Sequence, residues 1–266
     1  MSMKIHCLYR DFFLFLRMIS LERGIWSAFR KYYFDKHRDF LKRVWFSYQK
    51  YTMKNIRERV ASIKREDYAA IESELKIFDI EESTREILLH CKTILHDPDP
   101  CNVYLFVGFF SPDGFVIEYN GEYVICIGLE RFSNFRDYGL LLAHEYCHYI
   151  LNKQCPRKKE SIKNDIVREG ICVYFSKIAF PGKKEHLYLF LSEELFTELE
   201  KNSGVLMGRL MSGKVRREDV FGSCSRDFPP RAGYYLGYRL VKDFVDKTGI
   251  NDISFLLREQ NQILIY

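Results

Sequence analysis

The chain has 266 residues, of which 47% are hydrophobic and 29% are charged. This composition is typical of a soluble globular protein. No uncharged apolar run reaches the ~18 residues that a membrane-spanning helix needs. The net charge of +5 comes from the front of the chain, where residues 1–67 hold 16 Lys and Arg against 7 Asp and Glu.

Residues 1–98 are predicted to form a basic helical N-terminal region. Aromatic and aliphatic residues recur there at helical spacing, with basic residues between them. The apolar run at residues 12–16 is predicted to be part of a helix and not a secretion signal, because Asp11 and Arg17 bracket it and no small-residue cleavage site follows. A further helix is expected to begin after Asp79, a suitable N-cap, and to end at the proline-containing segment 96–100.

Residues 99–266 are predicted to form a second domain of the α+β class. Its first part contains three strand-like runs, at residues 103–110, 115–119 and 123–129, which are rich in aromatic and β-branched residues. Turn residues at 111–114 and the pair Asn120-Gly121 separate them, and Asn-Gly is a strong hairpin signal. We therefore predict a small antiparallel sheet, followed from about residue 137 by helices.

The segment "AHEYCHYI" at residues 143–150 contains two histidines four residues apart. On a helix this spacing puts His144 and His148 on one face, one turn apart. With Glu145 they form the H-E-x-x-H pattern, in which two imidazoles bind zinc and the glutamate acts as general base on a zinc-bound water. The surrounding residues indicate a buried helix, where a shared zinc ion would offset the desolvation of these polar groups.

A catalytic zinc site of this type needs a third protein ligand. A downstream histidine is excluded, because Leu151 and Gln154 stand where the longer motif needs glycine and histidine. Glu169, in "VREGICVYFS", follows His148 by 21 residues, which suits two helices joined by a loop. It is therefore the candidate third ligand, although a solvated or salt-bridged glutamate beside Arg168 would show the same spacing.

The motifs "IGLERF", "LLAHEYCHYI", "VREGICVYFSK" and "RAGYYLGYRLVKDFVDKTG" resemble, in order and spacing, a bacterial family of predicted zinc-dependent proteases. Glu169-Gly170 with Tyr174 after H-E-x-x-H is similar to the gluzincin clan of metallopeptidases. The resemblance implies a gluzincin-like domain with a small antiparallel sheet, an active-site helix and a helical C-terminal part. It assigns zinc binding to His144, His148 and Glu169, and the role of general base to Glu145.

The resemblance also implies a role for Tyr234, which stands three residues before Gly237. This tyrosine would donate a hydrogen bond to the oxyanion of the tetrahedral intermediate. Tyr235 and Tyr238 are alternatives, and a tyrosine that only packs on an amphipathic helix is the plain structural explanation. In gluzincins an edge strand beside the zinc pairs with the extended peptide substrate, and "EYVICIGLE" is the candidate for that strand.

The sequence departs from the thermolysin pattern at Val173, where thermolysin-like enzymes have an aspartate that orients a zinc-binding histidine. Asp165, a backbone carbonyl or a water molecule must then orient the histidine. Cys147 also lies near the metal-facing side of its helix. As a fourth ligand it would close the site and make it structural.

These patterns predict a zinc-dependent peptidase that acts on a peptide or protein substrate. The alternative is a catalytically silent protein of the same fold that contacts an acidic partner through its basic N-terminal helices. Nucleic acid is not expected as a partner, because no nucleic-acid-binding motif accompanies the basic residues. The eight cysteines form no C-x-x-C pair and favour a reducing compartment, so a cytoplasmic location is predicted.

Overall fold

The computed structural model describes residues 3–109, 112–156, 161–213, 215–222, 225 and 227–265. These residues form an α+β protein that is mainly helical and contains a four-stranded sheet. The strands are β1 (Met3–Cys7), β2 (Cys101–Phe106), β3 (Gly114–Tyr119) and β4 (Glu122–Gly128). The α-helices are α1 (Leu8–Met18), α2 (Ile25–Phe29), α3 (Arg38–Lys42), α4 (Met53–Ala61), α5 (Ala69–Ile77), α6 (Ile80–Leu95), α7 (Tyr138–Gln154), α8 (Ile162–Ala179), α9 (Glu185–Tyr188), α10 (Glu193–Lys201), α11 (Ser203–Met211), α12 (Arg217–Phe221), α13 (Ala232–Thr248), α14 (Ile253–Arg258) and α15 (Gln260–Ile265). No helix within the described ranges is long and apolar enough to cross a membrane.

The chain divides into two compact units. One consists of Met1–Leu89 and Asp97–Leu142, and the other of His90–His96 and Ala143–Tyr266. This division differs from the boundary predicted between residues 98 and 99. The physical reason is that β1, in the N-terminal region, pairs in parallel with β2, so the front of the chain and the sheet belong to the same unit.

The core of the first unit is built from aromatic residues at helical spacing. Helices α2 and α3 continue directly into π-helical turns at Arg30–Phe34 and Arg43–Tyr48. The buried hydroxyl of Tyr33 donates to the carbonyl of Val107 over 2.8 Å, and the indole of Trp45 donates to that of Gly108 over 2.9 Å. These bonds attach both turns to the segment after β2. Other buried aromatic residues of this core are Phe12, Phe15, Phe29 and Phe40.

Many basic residues of the N-terminal helices form ion pairs inside the first unit. Lys36 and His37 both contact the carboxylate of Asp11, and Lys31 contacts Glu22. Further pairs are Arg10–Glu81, Arg17–Glu72, Arg30–Asp35 and Arg38–Asp35. The apolar faces of these helices therefore form the core, and part of their positive charge is paired locally.

The sheet is mixed, with strand order β1-β2-β4-β3. The hairpin of β3 and β4 is confirmed, and both of its turn residues, Asn120 and Gly121, have positive φ (53° and 80°). The prediction of a purely antiparallel sheet is wrong, because β2 pairs in parallel with β4 and not with β3. Strands β2 and β3, although consecutive in the chain, therefore lie on opposite sides of β4. The turn predicted at residues 111–114 lies partly outside the described residues.

Strand β4 lies between β2 and β3 in this sheet, with both of its edges paired. Its backbone N–H and C=O groups are thus already used along the paired residues. The prediction that "EYVICIGLE" is an edge strand for pairing with a substrate is therefore wrong.

Two boundaries predicted for helices are confirmed. Helix α6 begins at Ile80, and the side chain of Asp79 accepts a hydrogen bond from the backbone N–H of Glu82 over 3.0 Å. The part of the chain after residue 137 is helical, and positive φ at Gly182 (87°) and Gly213 (78°) marks two of its turns.

Helices α8 and α13 cross at the centre of the second unit. Every residue of α8 from Asp165 to Val173 is buried. At the crossing, a Cβ added to Gly170 would lie 2.1 Å from the carbonyl oxygen of Gly237, and a Cβ added to Gly237 would lie 2.0 Å from that of Ile166. Only glycine permits so close an approach of two backbones. The crossing therefore places the residues that flank Gly170 on α8 near those that flank Gly237 on α13.

Candidate metal centre

Helix α7 carries both histidines of the H-E-x-x-H pattern. It is buried on nearly all sides, and its residues from Leu142 to Cys147 are all buried. One helical turn separates His144 from His148, and their ring centroids lie 4.7 Å apart. The two Nε2 atoms face each other at 3.1 Å. The helix thus presents two imidazole nitrogens to one point.

Glu169, on α8, faces the same point. Its Oε2 lies 3.3 Å from Nε2 of His144 and 3.0 Å from Nε2 of His148. Tetrahedral zinc with bonds of about 2.0–2.1 Å separates its ligand atoms by about 3.3 Å. The donor set, two imidazole nitrogens and one carboxylate oxygen, also fits zinc. Among the residues that the structure describes, this is the one group of three possible metal ligands whose atoms converge.

Burial and mutual charge determine the protonation of the three groups. Burial lowers the pKa of His144. Burial acts in the same direction on His148, but the adjacent Glu169 carboxylate outweighs it and raises the pKa of His148 to about 9. Burial alone would raise the pKa of Glu169, but the charge of His148 and hydrogen bonds from both imidazoles hold it well below its usual range. Glu169 is therefore ionised, as a metal ligand must be, and a metal ion there would replace the proton of His148.

Glu145 follows His144 on α7 and is only 5% exposed. Its carboxylate charge contributes, after larger effects, to raising the pKa of both His148 and Tyr234. It therefore lies within electrostatic reach of the converging atoms without being one of them.

Tyr234, on the first turn of α13, has its ring 6.4 Å from the ring of His144. Burial raises the pKa of its phenol, and the charge of Glu169 adds to this effect, so the hydroxyl is a hydrogen-bond donor at neutral pH. The two alternatives point elsewhere. The Tyr238 hydroxyl donates to Glu185 over 2.9 Å, and Tyr235 packs edge-on against Phe196.

Asp165 and Cys147 each have a side-chain partner in the structure. The carboxylate of Asp165 forms an ion pair with Arg217. The Nδ1 atom of His144 is buried and has no hydrogen-bond partner among the described residues, so Asp165 does not orient it there. The Cys147 thiol interacts with the thiol of Cys172 on α8, and it is not part of the converging group.

Sequence reasoning missed Arg231, which precedes α13. Its guanidinium carbon lies 4.5 Å from the centroid of the Tyr234 ring. No sequence pattern pointed to this contact, because it depends on the left-handed backbone turn at residue 231, outside the helical period of α13.

The chain matches the model of a known protein family. The model of the family described as "Predicted Zn-dependent protease" (DUF2268) matches residues 116–265, which is more than half of the chain. The matched segment contains the converging residues, Glu145 and Tyr234. No curated protein and no solved structure matches the chain.

Proposed function

This chain belongs to the family of predicted Zn-dependent proteases, and from this premise we propose that it is a zinc peptidase of the gluzincin type. The observation that supports this most is the approach of His144 Nε2, His148 Nε2 and Glu169 Oε2 to 3.0–3.3 Å of one another. These three residues would hold the zinc ion. Bound there, zinc supplies Lewis acidity, which lowers the pKa of a coordinated water to about 7 and polarises a carbonyl.

The remaining chemistry belongs to the side chains around the ion. The Glu145 carboxylate accepts a proton from the attacking water and passes it to the nitrogen of the leaving amine. Tyr234 remains protonated, because burial raises the pKa of its phenol, and it donates a hydrogen bond to the oxyanion that forms at the substrate carbonyl. The substrate is a peptide or protein. We also propose a cytoplasmic location, on the scattered cysteines of the sequence.

The interpretation as a silent binding protein has weaker support. The aromatic faces of its N-terminal helices are buried in the first unit, and several of their basic residues are ion-paired there. Buried aromatic faces and ion-paired basic residues do not form a binding surface for an acidic partner. We therefore do not propose this function.

The Glu145→Gln variant tests the peptidase. Zinc-loaded parent and variant are incubated with a randomised peptide library, and new termini are quantified by mass spectrometry. We expect cleavage to fall by about 100-fold or more, because general base catalysis is lost, while zinc content is unchanged. Glu200→Gln, on the exposed face of α10, is the matched control and should cleave like the parent. Equal cleavage by parent and Glu145→Gln would contradict the proposed mechanism.

A further inference from the structure

Arg231 is a half-buried cation beside the candidate metal centre. It stands directly before α13 in a left-handed backbone conformation, with φ 61° and ψ 16°. For a residue other than glycine this conformation is uncommon and costs free energy, and such residues concentrate at functional sites. Its guanidinium lies over the ring of Tyr234, and its Nε atom is buried without a hydrogen-bond partner among the described residues.

Arg231 forms no ion pair with a carboxylate of the described residues. Arg217, whose charge also acts on Tyr234, forms an ion pair with Asp165. By contrast, the Arg231 side chain has neither an ion pair nor a hydrogen bond within the part of the chain that the structure describes. A partly desolvated guanidinium without an acceptor is unfavourable unless a ligand supplies one. The bound substrate is the natural source of that acceptor.

We propose that Arg231 determines specificity by binding a carboxylate of the substrate. This inference rests on the proposed peptidase function, and it names the chemical class of the substrate. The planar guanidinium presents paired N–H donors that match the two oxygens of a carboxylate. A neutral peptide carbonyl would satisfy only part of these donors and would leave the positive charge unpaired.

The distances limit where this carboxylate lies in the substrate. The Tyr234 ring is 4.5 Å from the guanidinium carbon and 6.4 Å from the His144 ring, so Arg231 is at most about 11 Å from that ring. An extended peptide advances about 3.3–3.6 Å per residue. The carboxylate therefore belongs to a residue within about three positions of the scissile bond. It is either the C-terminal carboxylate of a short peptide or the side chain of Asp or Glu.

Peptide retention on the full chain tests this role. The background is Glu145→Gln, which binds peptides without the general base. The immobilised protein is loaded with zinc and given three pools of random pentapeptides: free C-termini, amidated C-termini, and amidated C-termini without Asp or Glu. Arg231→Gln removes the charge, and Arg231→Lys keeps it but loses the paired donors. Arg239→Gln, on α13 and ion-paired with Asp243, is the matched control.

We expect the background protein to retain carboxylate-bearing pentapeptides at least about tenfold better than the pool without carboxylates, as charged hydrogen bonds require. Arg231→Gln should lose this preference, Arg231→Lys should keep part of it, and Arg239→Gln should keep all of it. If amidation alone abolishes peptide retention, Arg231 binds the C-terminal carboxylate. If amidated peptides with Asp or Glu are still retained, Arg231 binds an acidic side chain.

Two results would overturn the role of Arg231. One is equal preference in Arg231→Gln, and the other is no carboxylate preference in the background protein. Zinc content and thermal unfolding, measured on each variant, separate these results from misfolding and from failure of the proposed function. A protein without zinc whose carboxylate preference still depends on Arg231 would contradict the peptidase and leave the anion site standing.

Discussion

Replacing Gly237 by alanine tests whether the close crossing of α8 and α13 positions the site. A Cβ at residue 237 would lie 2.0 Å from the carbonyl oxygen of Ile166 and 2.8 Å from the backbone nitrogen of Gly170. Non-bonded contacts are favourable only near 3.5 Å, so the helices must separate by about 1.5 Å. Backbone atoms surround the added methyl group, and no side chain can rotate away to accept it.

This separation has two measurable consequences. Overpacking of a well-packed contact destabilises by about 1–3 kcal/mol, which lowers the Tm of a chain of this size by roughly 2–10 °C. The shift also moves Tyr234, one helical turn before Gly237, relative to Glu169, which precedes Gly170. Because a displacement of about 1 Å can reduce a catalytic rate about 100-fold, peptide cleavage should fall even below the melting temperature.

Differential scanning calorimetry and the peptide-library assay check both consequences. Gly208→Ala is the matched control, because Gly208 is an exposed residue of α11 and an added Cβ there has open space around it. This control should gain about 0.5–1 kcal/mol of stability from the better helix propensity of alanine. If Gly237→Ala is as stable and as active as Gly208→Ala, the crossing does not position the site and the reasoning is refuted.

Two further predictions concern pH. The Glu185 carboxylate accepts hydrogen bonds from Lys177, Tyr238 and Lys242 at 2.9–3.1 Å, and these outweigh partial burial and hold its pKa at about 2. The ionised carboxylate contributes about 1 kcal/mol, after solvent screening, to the free energy of unfolding. This contribution is complete above pH 4.5 and is lost as the pH falls to 2. The free energies of urea unfolding of the parent and of Glu185→Gln should therefore differ at pH 7 and converge near pH 2. An unchanged difference at pH 2 would exclude this origin. The pKa of His148 is about 9, so zinc must displace a proton from this residue at neutral pH. Zinc affinity should therefore fall by up to about tenfold per pH unit from pH 9 to pH 6. Competition with a chelator measures this affinity. A flat affinity profile would contradict the assignment of His148.

The local features of the site could be predicted from the sequence. Histidines four residues apart inside a buried helical pattern specify one face of one helix, and the structure has both on α7. The approach of Glu169 to this face was also expected, since a short loop and one helix separate it from His148. These predictions depend on residues close together in the chain, where the helical period fixes the geometry.

The features that depend on distant residues were missed. The parallel pairing of β1 with β2 joins Met3 to Cys101, and nothing in the local pattern of either strand indicates the partner. The contact of Gly170 with Gly237 could not be predicted for the same reason, because the sequence around each glycine is that of an ordinary helix. Arg231 was missed because its importance lies in an acceptor that the described residues do not supply, and only the surrounding structure can reveal this.

Zinc content is the most direct test of the account, because every proposed step depends on the three converging side chains. The purified full chain is reconstituted with zinc, desalted and measured by elemental analysis beside His148→Ala and Glu169→Ala. We expect about one zinc per chain in the parent and a large loss in both variants. A parent without zinc, or variants that hold as much zinc as the parent, would contradict the proposed metal centre.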